Sequence, residues 1–378
     1  MDRARRALRR IPPIAWREAR LAEQAAEIRR LRRRLERAER PAPDPAAAAA
    51  QVRAETALEE LRGTLGRASY QRSLEDLRRT VVALRGVDPD KAHPLRQLPF
   101  KLRNYRLAQS HGVAVPAVHA TWHAVDDIDL AGLPDELVLK SDGGAGGHGV
   151  LPLRRRADGR LDLVSTDVTL SDDEVRERLR GVRSLSGPYF AEEMLRGPGG
   201  SPIPEDVKVF AFYGEVGQVL LRRVDEHGNL QRSAYRFVDE HGEDLGDGVW
   251  DRRLDPSIAL PAEFGTMVET ARHLSRAVGV PFVRVDLYQT DRGVVLGELT
   301  RGPGGNPRYS PAHDEHIGRL LEEARWRLER DVVTGRPPGV LHGPHAAPDR
   351  YPAGHVSRNE EPGTWAARQG ACAWCDAG

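Results

Sequence analysis

Two acidic residues occupy facing positions in a predicted β-hairpin. The hairpin spans residues 283–300, VRVDLYQTDRGVVLGELT, and places Asp286 on its first strand and Glu298 on its second. Counting inward from these two acids, Asp286 faces Glu298, and Arg284 faces Thr300 two positions along the same face, because strand side chains alternate with a period of two. The face therefore carries two carboxylates with a guanidinium beside them.

The remaining hairpin residues complete this register. Asp291, Arg292 and Gly293 form a three-residue loop in which the glycine can take the left-handed conformation. The apolar residues then occupy the opposite face, which predicts that it packs on a core. These residues are Val283, Val285, Leu287, Val295 and Leu299.

Like charges directly opposite each other weaken a sheet, so the facing acids need an explanation. They could lie at an exposed edge, where water screens them. They could instead hold a divalent cation with Arg284 alongside, which is the arrangement that phosphoryl transfer requires. The rest of the chain decides between the two interpretations.

Composition describes a soluble, globular chain with a heavily charged surface. Among 378 residues, 39% are hydrophobic and 30% are charged, with a net charge of +1. The sequence contains neither an apolar run long enough to span a membrane nor a secretory signal, so we expect a cytoplasmic protein. Two cysteines are too few for a disulfide framework.

Residues 1–40 form a basic segment that is predicted to be helical. It holds fourteen Arg residues against six acids, and Leu21, Ile28, Leu31 and Leu35 follow a and d heptad spacing. The helix could pair as a coiled coil and form a homodimer, or contact an anionic membrane at its inner face. The segment argues against a nucleic-acid partner, because Trp16 is the only aromatic residue among these arginines.

Composition changes three times after this helix. Residues 41–87 read as a linker followed by accessory helices, and residues 88–335 alternate strands and helices with Gly and Pro, which indicates an α+β domain. Residues 336–378 are rich in Pro, Gly and His, so we expect a disordered tail.

The tail ends in ACAWCDAG, which contains the only two cysteines, Cys372 and Cys375. A CxxC pair can be inert, bind metal or act in redox chemistry, and no second CxxC completes a four-thiolate site. His342, His345 and His355 could supply further ligands, although their spacing matches no standard zinc finger. The sequence favours an inert pair over the two functional alternatives.

Two segments upstream of the hairpin could bind phosphate. Lys101 begins a helix that ends at Gly112, and Lys140 ends a strand that runs into a glycine-rich loop. Glycines let backbone N–H groups turn toward an anion, and a preceding lysine adds a point charge. The loop residues considered as ligands are Gly143, Gly144, Gly146 and Gly147.

Four polar residues interrupt two otherwise apolar strands. Glu192 and Glu193 lie in YFAEEML, and Asp206 and Lys208 lie in EDVKVF. Polar residues that break a strand pattern often line a cleft, although alternation toward water is the simpler explanation. Their position between the glycine loop and the hairpin favours the cleft.

In this order the motifs resemble those of the ATP-grasp superfamily. The matching segments are the Lys101 helix ending in HGVAVP, VLK with its glycine loop, AEEML, VRVDLY and LGELT. They are most similar to the teichuronopeptide-biosynthesis (TupA-like) branch, which attaches amino-acid or peptide units to cell-surface polymers. The resemblance implies an ATP-grasp fold, with two α+β subdomains clasping ATP and a lid subdomain over about residues 121–195.

The resemblance also implies roles for the site residues. Lys101 and Lys140 would contact the α and β phosphates, and the glycine loop would close over the γ phosphate. Glu192 to Leu195, including Glu193, would hold the adenine, and Asp206 or Glu205 the ribose. Asp286, Glu298 and Thr300 would bind Mg²⁺, while Arg284 and Lys208 would act on the reacting groups.

Two departures from the family pattern concern this site. Many superfamily members carry Asn where Thr300 stands, so a second magnesium could be held weakly or by another residue. The residue before Lys101 is Phe100 rather than an acid, whereas an Asp-Lys pair occurs at Asp90 and Lys91. The first phosphate-binding lysine therefore has two candidates.

The implied activity is ATP-dependent ligation of a carboxylate to an amine through an acyl phosphate, on a cell-surface polysaccharide precursor or related natural product. The cofactors would be ATP and Mg²⁺. The same site could serve a phosphotransferase acting on a sugar hydroxyl. A third alternative is a nucleotide-binding scaffold protein.

Overall fold

The structure is a computed structural model. Its described residues are 12–38, 66–88, 91–144, 149–201, 204–224, 233–249, 253–303, 308–355 and 372–375, with 53, 56 and 63 as isolated positions. Contacts divide the chain into two compact units, residues 1–67 and residues 68–378.

Helix α1 (Pro12–Ala38) forms most of what is described of the first unit. Its heptad side chains, which include Leu21 and Leu35, are between 50% and 64% exposed. The helix agrees with the sequence prediction, whereas its pairing into a coiled coil remains a prediction. Over the described part of the chain, no helix combines the length and the apolar character needed to cross a membrane.

Three helices open the second unit and lead into its sheets. They are α2 (Tyr70–Leu84), α3 (Pro94–Gln97) and α4 (Lys101–Ser110). Ser69 caps α2 by accepting a hydrogen bond from the Arg72 N–H at 3.3 Å. Such a cap satisfies one of the backbone donors that a helix start leaves without an intrahelical partner.

Six antiparallel strands form a first sheet, the lid sheet, in the order β1-β6-β2-β3-β4-β5. Alternate residues such as Leu137 and Leu139 are buried, and helix α5 (Asp172–Arg180) adds Val175 and Leu179 to the same core. The strands are β1 (Val118–Trp122), β2 (Glu136–Ser141), β3 (Val150–Arg155), β4 (Leu161–Leu163), β5 (Thr169–Leu170) and β6 (Tyr189–Glu193).

Five antiparallel strands form a second sheet, the body sheet, in the order β11-β10-β7-β8-β9. One face is apolar, with Val283 and Val285 beside Val209, and helix α6 (Phe264–Val278) packs against it. The strands are β7 (Glu205–Phe212), β8 (Glu215–Val224), β9 (Ser233–Val238), β10 (Val283–Thr290) and β11 (Gly293–Thr300). The two sheets give the α+β architecture that the sequence predicts.

The pairing of β10 with β11 confirms two predicted contacts and corrects the loop. Asp286 pairs with Glu298, and Arg284 pairs with Thr300, as predicted. Thr290, however, pairs with Gly293, so the loop has two residues instead of three. A β-bulge farther from the loop adds one unpaired residue to β11, and this restores the predicted pairing of Asp286 with Glu298.

The extra residue of the bulge is Gly297, which lies against the ring of Tyr288. A Cβ atom at Gly297 would lie 2.5 Å from the Tyr288 ring, so only glycine fits. The extra residue places Leu296, not Val295, opposite Leu287 on the apolar face. The prediction for Val295 is therefore wrong, since this residue pairs with Tyr288 on the other face.

An aromatic cluster covers one end of that other face. The Tyr70 ring packs against the rings of Phe210, Phe212, Phe282 and Tyr309 at centroid distances of 5.4 to 6.5 Å. Tyr70 begins α2, and α2 packs on helix α7 (Pro311–Val333). The two helices therefore shield the aromatic end of the sheet and leave the rest of the face to polar residues.

Residues 336–355 pack against the rest of the second unit. This corrects the prediction of a disordered tail for this part of the chain. Leu341 is fully buried and Tyr351 is 2% exposed. Arg336, also 2% exposed, donates to the Arg276 carbonyl at 2.8 Å near the end of α6. Buried contacts of this kind hold a segment whose Pro and Gly content alone suggested disorder. Further along the tail, the structure describes helix α8 (Cys372–Cys375).

The contact between α2 and α7 should depend on Gly318. A Cβ atom there would lie 2.6 to 2.7 Å from backbone atoms of Ser69 and Tyr70. We expect Gly318→Ala to lower the free energy of unfolding by about 1 to 3 kcal/mol, because the backbone of one helix must move. Urea unfolding measures the change.

Gly265→Ala is the matched control for this prediction. Gly265 also lies in a helix, but its Cβ would have no neighbour within 4 Å. We expect this variant to be as stable as the wild type or slightly more stable. Equal stability of the two variants would contradict a close contact between α2 and α7.

Candidate active site

Six charged side chains of alternating sign run across the polar face of the body sheet. They belong to four neighbouring strands, and we call them the charge row. In order they are Arg222, Asp206, Lys208, Asp286, Arg284 and Glu298. The strand register sets this order, because Asp206 pairs with Arg222, Lys208 with Asp286, and Asp286 with Glu298.

Asp286 lies at the centre of the charge row. Arg284 donates through Nε to Oδ1 at 2.6 Å and through a terminal nitrogen to Oδ2 at 2.7 Å. Lys208 Nζ donates to Oδ2 at 2.5 Å. Asp286 is only 2% exposed, and a carboxylate so deeply buried is stable only with such partners.

Electrostatics keep this centre ionised. Burial by itself would raise the pKa of Asp286, but Arg284 and Lys208 outweigh it and hold this pKa below its ordinary value. Burial would lower the pKa of Arg284, whereas Asp286 and Glu298 raise it above its ordinary value. Both groups are therefore charged at neutral pH.

The two ends of the charge row differ in exposure. Asp206 is 4% exposed, accepts from Lys208 Nζ at 2.9 Å and pairs with Arg222 through its other oxygen. The Glu298 side chain is 37% exposed, and its Oε1 accepts from Arg284 and from the Thr300 hydroxyl, each at 3.3 Å. Glu298 is thus the more accessible of these two acids, whereas the Arg222 side chain at the other end of the row is 24% exposed.

A second polar cluster links the lid sheet to helix α4. Lys140 Nζ lies 2.5 Å from Glu192 Oε1, and the Tyr105 hydroxyl donates to Glu192 Oε2 at 2.7 Å. Burial, followed by the charge of Glu192, raises the pKa of Tyr105 well above its ordinary value, so the phenol keeps its proton. The carboxylate of Glu192 is therefore engaged by Lys140 and Tyr105.

Lys101 lies beneath the start of the glycine loop. Its Nζ donates to the carbonyls of Gly144 at 2.6 Å and Ser141 at 3.3 Å, and the residue is 5% exposed. Burial lowers its pKa, and Glu298 partly opposes that shift. In this conformation the Lys101 side chain holds the start of the glycine loop close to helix α4 through these hydrogen bonds.

The glycine loop is described at its two ends. A Cβ atom at Gly143 would lie 2.4 Å from Ser186 Oγ, so a larger residue here would displace the Ser186 hydroxyl. Gly144 follows and accepts from Lys101. The predicted phosphate ligands Gly146 and Gly147 lie outside the described residues, as does Asp90, the acid of the alternative Asp-Lys pair.

The remaining predicted adenine-binding residues lie just after Glu192. Glu193 pairs with Arg292 of the hairpin turn at 2.6 Å and accepts from the Ala117 N–H at 3.1 Å. Leu195 is buried at 9% exposure. Glu193 was predicted to bind the ligand. In the structure its side chain links the lid sheet to the hairpin that carries Asp286.

Sequence reasoning missed a buried acid next to the glycine loop. Asp142 is fully buried, accepts from the Leu102 N–H at 2.8 Å and from the Tyr351 hydroxyl at 2.7 Å. Burial raises its pKa despite these two hydrogen bonds. Its place in SDGG could have drawn attention to it, whereas nothing in the sequence links it to Tyr351, more than 200 residues away.

Tyr105 and Arg222 were also missed, for different reasons. Tyr105 lies four residues after Lys101 and thus on the same helix face, which the helical period could have revealed. Arg222 faces Asp206 only because β7 and β8 form a hairpin whose register contains an irregularity. That register is not readable from composition or spacing.

Among the carboxylates of the charge row, Glu298 is the one best suited to bind Mg²⁺. Hard cations such as Mg²⁺ prefer carboxylate and hydroxyl oxygens. Both Asp286 oxygens accept hydrogen bonds from the charge row, whereas Glu298 is partly exposed, and no hydrogen bond among the described residues reaches its Oε2. Asp286 and the Thr300 hydroxyl lie beside Glu298 and could complete the set, with Arg284 moving aside.

Comparison with protein-family models finds one match. The family described as TupA-like ATPgrasp matches residues 81–322. Similar solved structures include D-alanine–D-alanine ligase from Bacillus anthracis complexed with ATP, with TM-score 0.39 and 14% identity over 62% of this chain and 69% of that one. An L-amino acid ligase from Bacillus licheniformis has TM-score 0.35 and 16% identity, over 56% and 42%. No curated protein sequence matches the chain.

Asp286 should stabilise the fold at neutral pH and lose this effect in acid. Its pKa is lower in the folded protein than the value of about 3.9 expected for an unfolded chain. Its contribution is therefore present above that value and declines as the pH falls through the folded pKa. We expect Asp286→Asn to cost about 2 to 4 kcal/mol at pH 7 and progressively less below about pH 4.

Urea unfolding of the wild type and of Asp286→Asn between pH 7 and pH 3 measures this gap, which is the difference between their free energies of unfolding. Asp291→Asn, in the exposed hairpin turn, is the control that removes an acid from the same hairpin without touching the charge row. We expect its unfolding free energy to follow that of the wild type at every pH. A gap for Asp286→Asn that stays constant down to pH 3 would show that its ionisation does not stabilise the fold.

Proposed function

The chain belongs to the TupA-like ATP-grasp family, and from that premise we propose that it is an ATP-dependent carboxylate-amine ligase. The observation that carries the proposal is the charge row, which sets Arg284 between the carboxylates of Asp286 and Glu298 at an end of the sheet open to solvent. Three cations and three anions alternate there, so each buried charge has a neighbour of opposite sign.

The reaction has two steps. A carboxylate oxygen of the acceptor attacks the γ phosphorus of ATP, a new P–O bond forms, and the bond to ADP breaks. The amine nitrogen then attacks the carbonyl carbon of the acyl phosphate, inorganic phosphate leaves, and the proton from nitrogen passes to it or to solvent. Catalysis of this kind consists mainly of positioning and neutralising charge.

Arg284 and Lys208 are the residues we assign to the reacting groups. Arg284 would neutralise charge on the acyl phosphate as it forms and collapses. Lys208, held between Asp206 and Asp286, would face the nucleotide or the acceptor. Asp286 orients both cations at distances of 2.5 to 2.7 Å, which makes it a positioning residue as well as a candidate metal ligand.

Nucleotide binding would use the lid sheet and helix α4. We assign Lys140 and the glycine loop to the phosphates, with Lys101 supporting the loop through the Gly144 carbonyl. Lys140 would exchange its contact with Glu192 for phosphate, and Tyr105 would keep Glu192 satisfied. Segment 192–195 would hold the adenine through backbone groups, and Asp206 would hold the ribose.

Mg²⁺ would be held by Glu298, with Asp286 and Thr300 nearby. When bound, the ion supplies positive charge to the transferred phosphate and lowers its repulsion toward the attacking carboxylate. Closure of the glycine loop would exclude water, which otherwise hydrolyses an acyl phosphate.

The family branch supports a further proposal about the substrate class. We propose that the acceptor is a cell-surface polysaccharide precursor or a related natural product, small molecule or polymer, which supplies a carboxylate to an amine. Such precursors are built where ATP is available, so we place the enzyme in the cytoplasm or at the inner face of the membrane.

ADP release should depend on both a carboxylate and an amine. With Mg-ATP and a panel of uronic acids, amino acids and peptides, we expect ADP and phosphate in equal amounts only when both substrate types are present. Added hydroxylamine should replace the amine and yield a hydroxamate, because it captures an acyl phosphate. Glu298→Gln should lower the rate by at least about 100-fold, since it removes a carboxylate at the phosphate site.

Glu269→Gln is the control, because Glu269 lies on helix α6 and is 69% exposed. We expect its rate to match that of the wild type. ADP formed without an amine, together with a phosphorylated sugar, would replace the ligase with a phosphotransferase. No thermal shift with Mg-ATP in either wild type or Glu298→Ala would instead support the scaffold alternative, in the form of a scaffold protein whose ATP site has decayed.

A further inference from the structure

Three metal-ligating side chains from distant parts of the second unit converge away from the charge row. They are His111 at the end of α4, His273 within α6 and Cys375 at the end of α8, and their ligand atoms all lie within 4.8 Å of one another. We propose that they form a zinc site that fastens the tail to the body of the protein.

The hydrogen bonds of His111 fix which nitrogen can bind metal. Its Nε2 lies 2.8 Å from the Leu341 carbonyl, and a carbonyl can only accept, so Nε2 carries the proton. In the neutral ring the lone pair then lies on Nδ1, which points at His273 Nε2 at 2.8 Å. A backbone carbonyl that orients a ligand imidazole in this way is typical of metal sites.

The same contact shows what the ion would replace. His273 Nε2 donates to His111 Nδ1, so a proton lies between two nitrogens that both face the cluster. Zinc would take that position, with His273 holding its proton on Nδ1 and the Cys375 thiol releasing its proton to solvent. The hydrogen bond between the rings is thus the metal-free form of the site.

The spacing of the ligand atoms is close to that of a zinc site. With Zn–N near 2.1 Å and Zn–S near 2.3 Å, tetrahedral ligand atoms lie roughly 3.3 to 3.8 Å apart. The two nitrogens would separate slightly from 2.8 Å, and the longest distance in the cluster, at most 4.8 Å, would shorten by about 1 Å. Rotation of side chains is enough for changes of this size.

The surroundings of Cys375 also suit a bound thiolate. Cys375 is 3% exposed, and the buried guanidinium of Arg336 interacts electrostatically with it. A nearby cation stabilises a thiolate. Close to the cluster, Gly343 passes so near His111 that a Cβ atom would lie 2.8 Å from its Nδ1, so a larger residue would press on the ligand nitrogen.

A fourth ligand, such as water, would complete tetrahedral coordination. Cys372 precedes Cys375 with the two-residue spacing found in many zinc sites, and its side chain lies outside the described residues. Because His111 and His273 belong to the body and Cys375 to the tail, the ion would close a long chain segment. That segment contains Tyr351, which bonds to Asp142 beside the glycine loop.

Metal content and cobalt spectroscopy test the site on the full chain. After chelation and reloading, we expect about one Zn²⁺ per chain, and Co²⁺ in its place should give the absorption of a thiolate-to-cobalt charge transfer. His273→Gln and Cys375→Ser should each weaken zinc binding by at least about tenfold, and Cys375→Ser should abolish the charge-transfer band.

His241→Gln is the matched control, since His241 is 75% exposed and lies outside the cluster. It should retain zinc at the wild-type level. Wild-type protein that holds no zinc and shows no cobalt band would overturn the proposal, whether or not the variants fold. So would Cys375→Ser protein that binds zinc as tightly as the wild type, including the case in which only Cys372→Ser loses the metal.

Discussion

The ion pair between Arg284 and Asp286 places a guanidinium and a carboxylate, both less than 10% exposed, on one strand in the middle of a sheet. Removing such charges from water costs several kcal/mol per ion unless each has partners on all sides. Lys208 supplies the second cation for Asp286, and Asp206 then balances Lys208. The row continues outward until Glu298 and Arg222 reach more exposed positions.

This requirement fixes the register of four strands more firmly than apolar packing alone would. A one-residue slip of β10 would carry Asp286 into the apolar face beneath α6 and leave Lys208 without its main partner. The bulge at Gly297 is consistent with this view, because it absorbs the mismatch of the two-residue loop before the pairing of Asp286 with Glu298. The structure thus places its irregularity beside the charge row and keeps the row in register.

Counting from an assumed three-residue loop predicted the facing acids and the Arg284–Thr300 pair, and it gave the right pairs because the bulge offsets the shorter loop of the structure. The α+β class was predicted from the alternation of strands and helices with Gly and Pro. Neither pattern could predict the bulge at Gly297 or the close approach of the Tyr288 ring to it, because both are properties of the folded hairpin. The charges of Lys101, Lys140 and Glu192 were visible in the sequence, but their partners are set by contacts between separate elements. The packed part of the tail was hidden for the same reason, since burial of Leu341 and Tyr351 depends on surfaces formed by other segments.

The lid sheet and the tail meet at Asp142, which gives the glycine loop a fixed base. Asp142 binds the first turn of α4 through Leu102 and the tail through Tyr351, and the glycines begin at the next residue. Lys101, from the same helix turn, holds the loop carbonyls from below. The proposed closure of the loop over a nucleotide would need such a base, because the moving part of a loop needs a part that stays in place. The tail contributes one of these hydrogen bonds, from Tyr351 to Asp142, which is more than 200 positions earlier in the chain. Any contact that holds the tail against α4 and α6 therefore also helps to hold Asp142 and the start of the glycine loop in place.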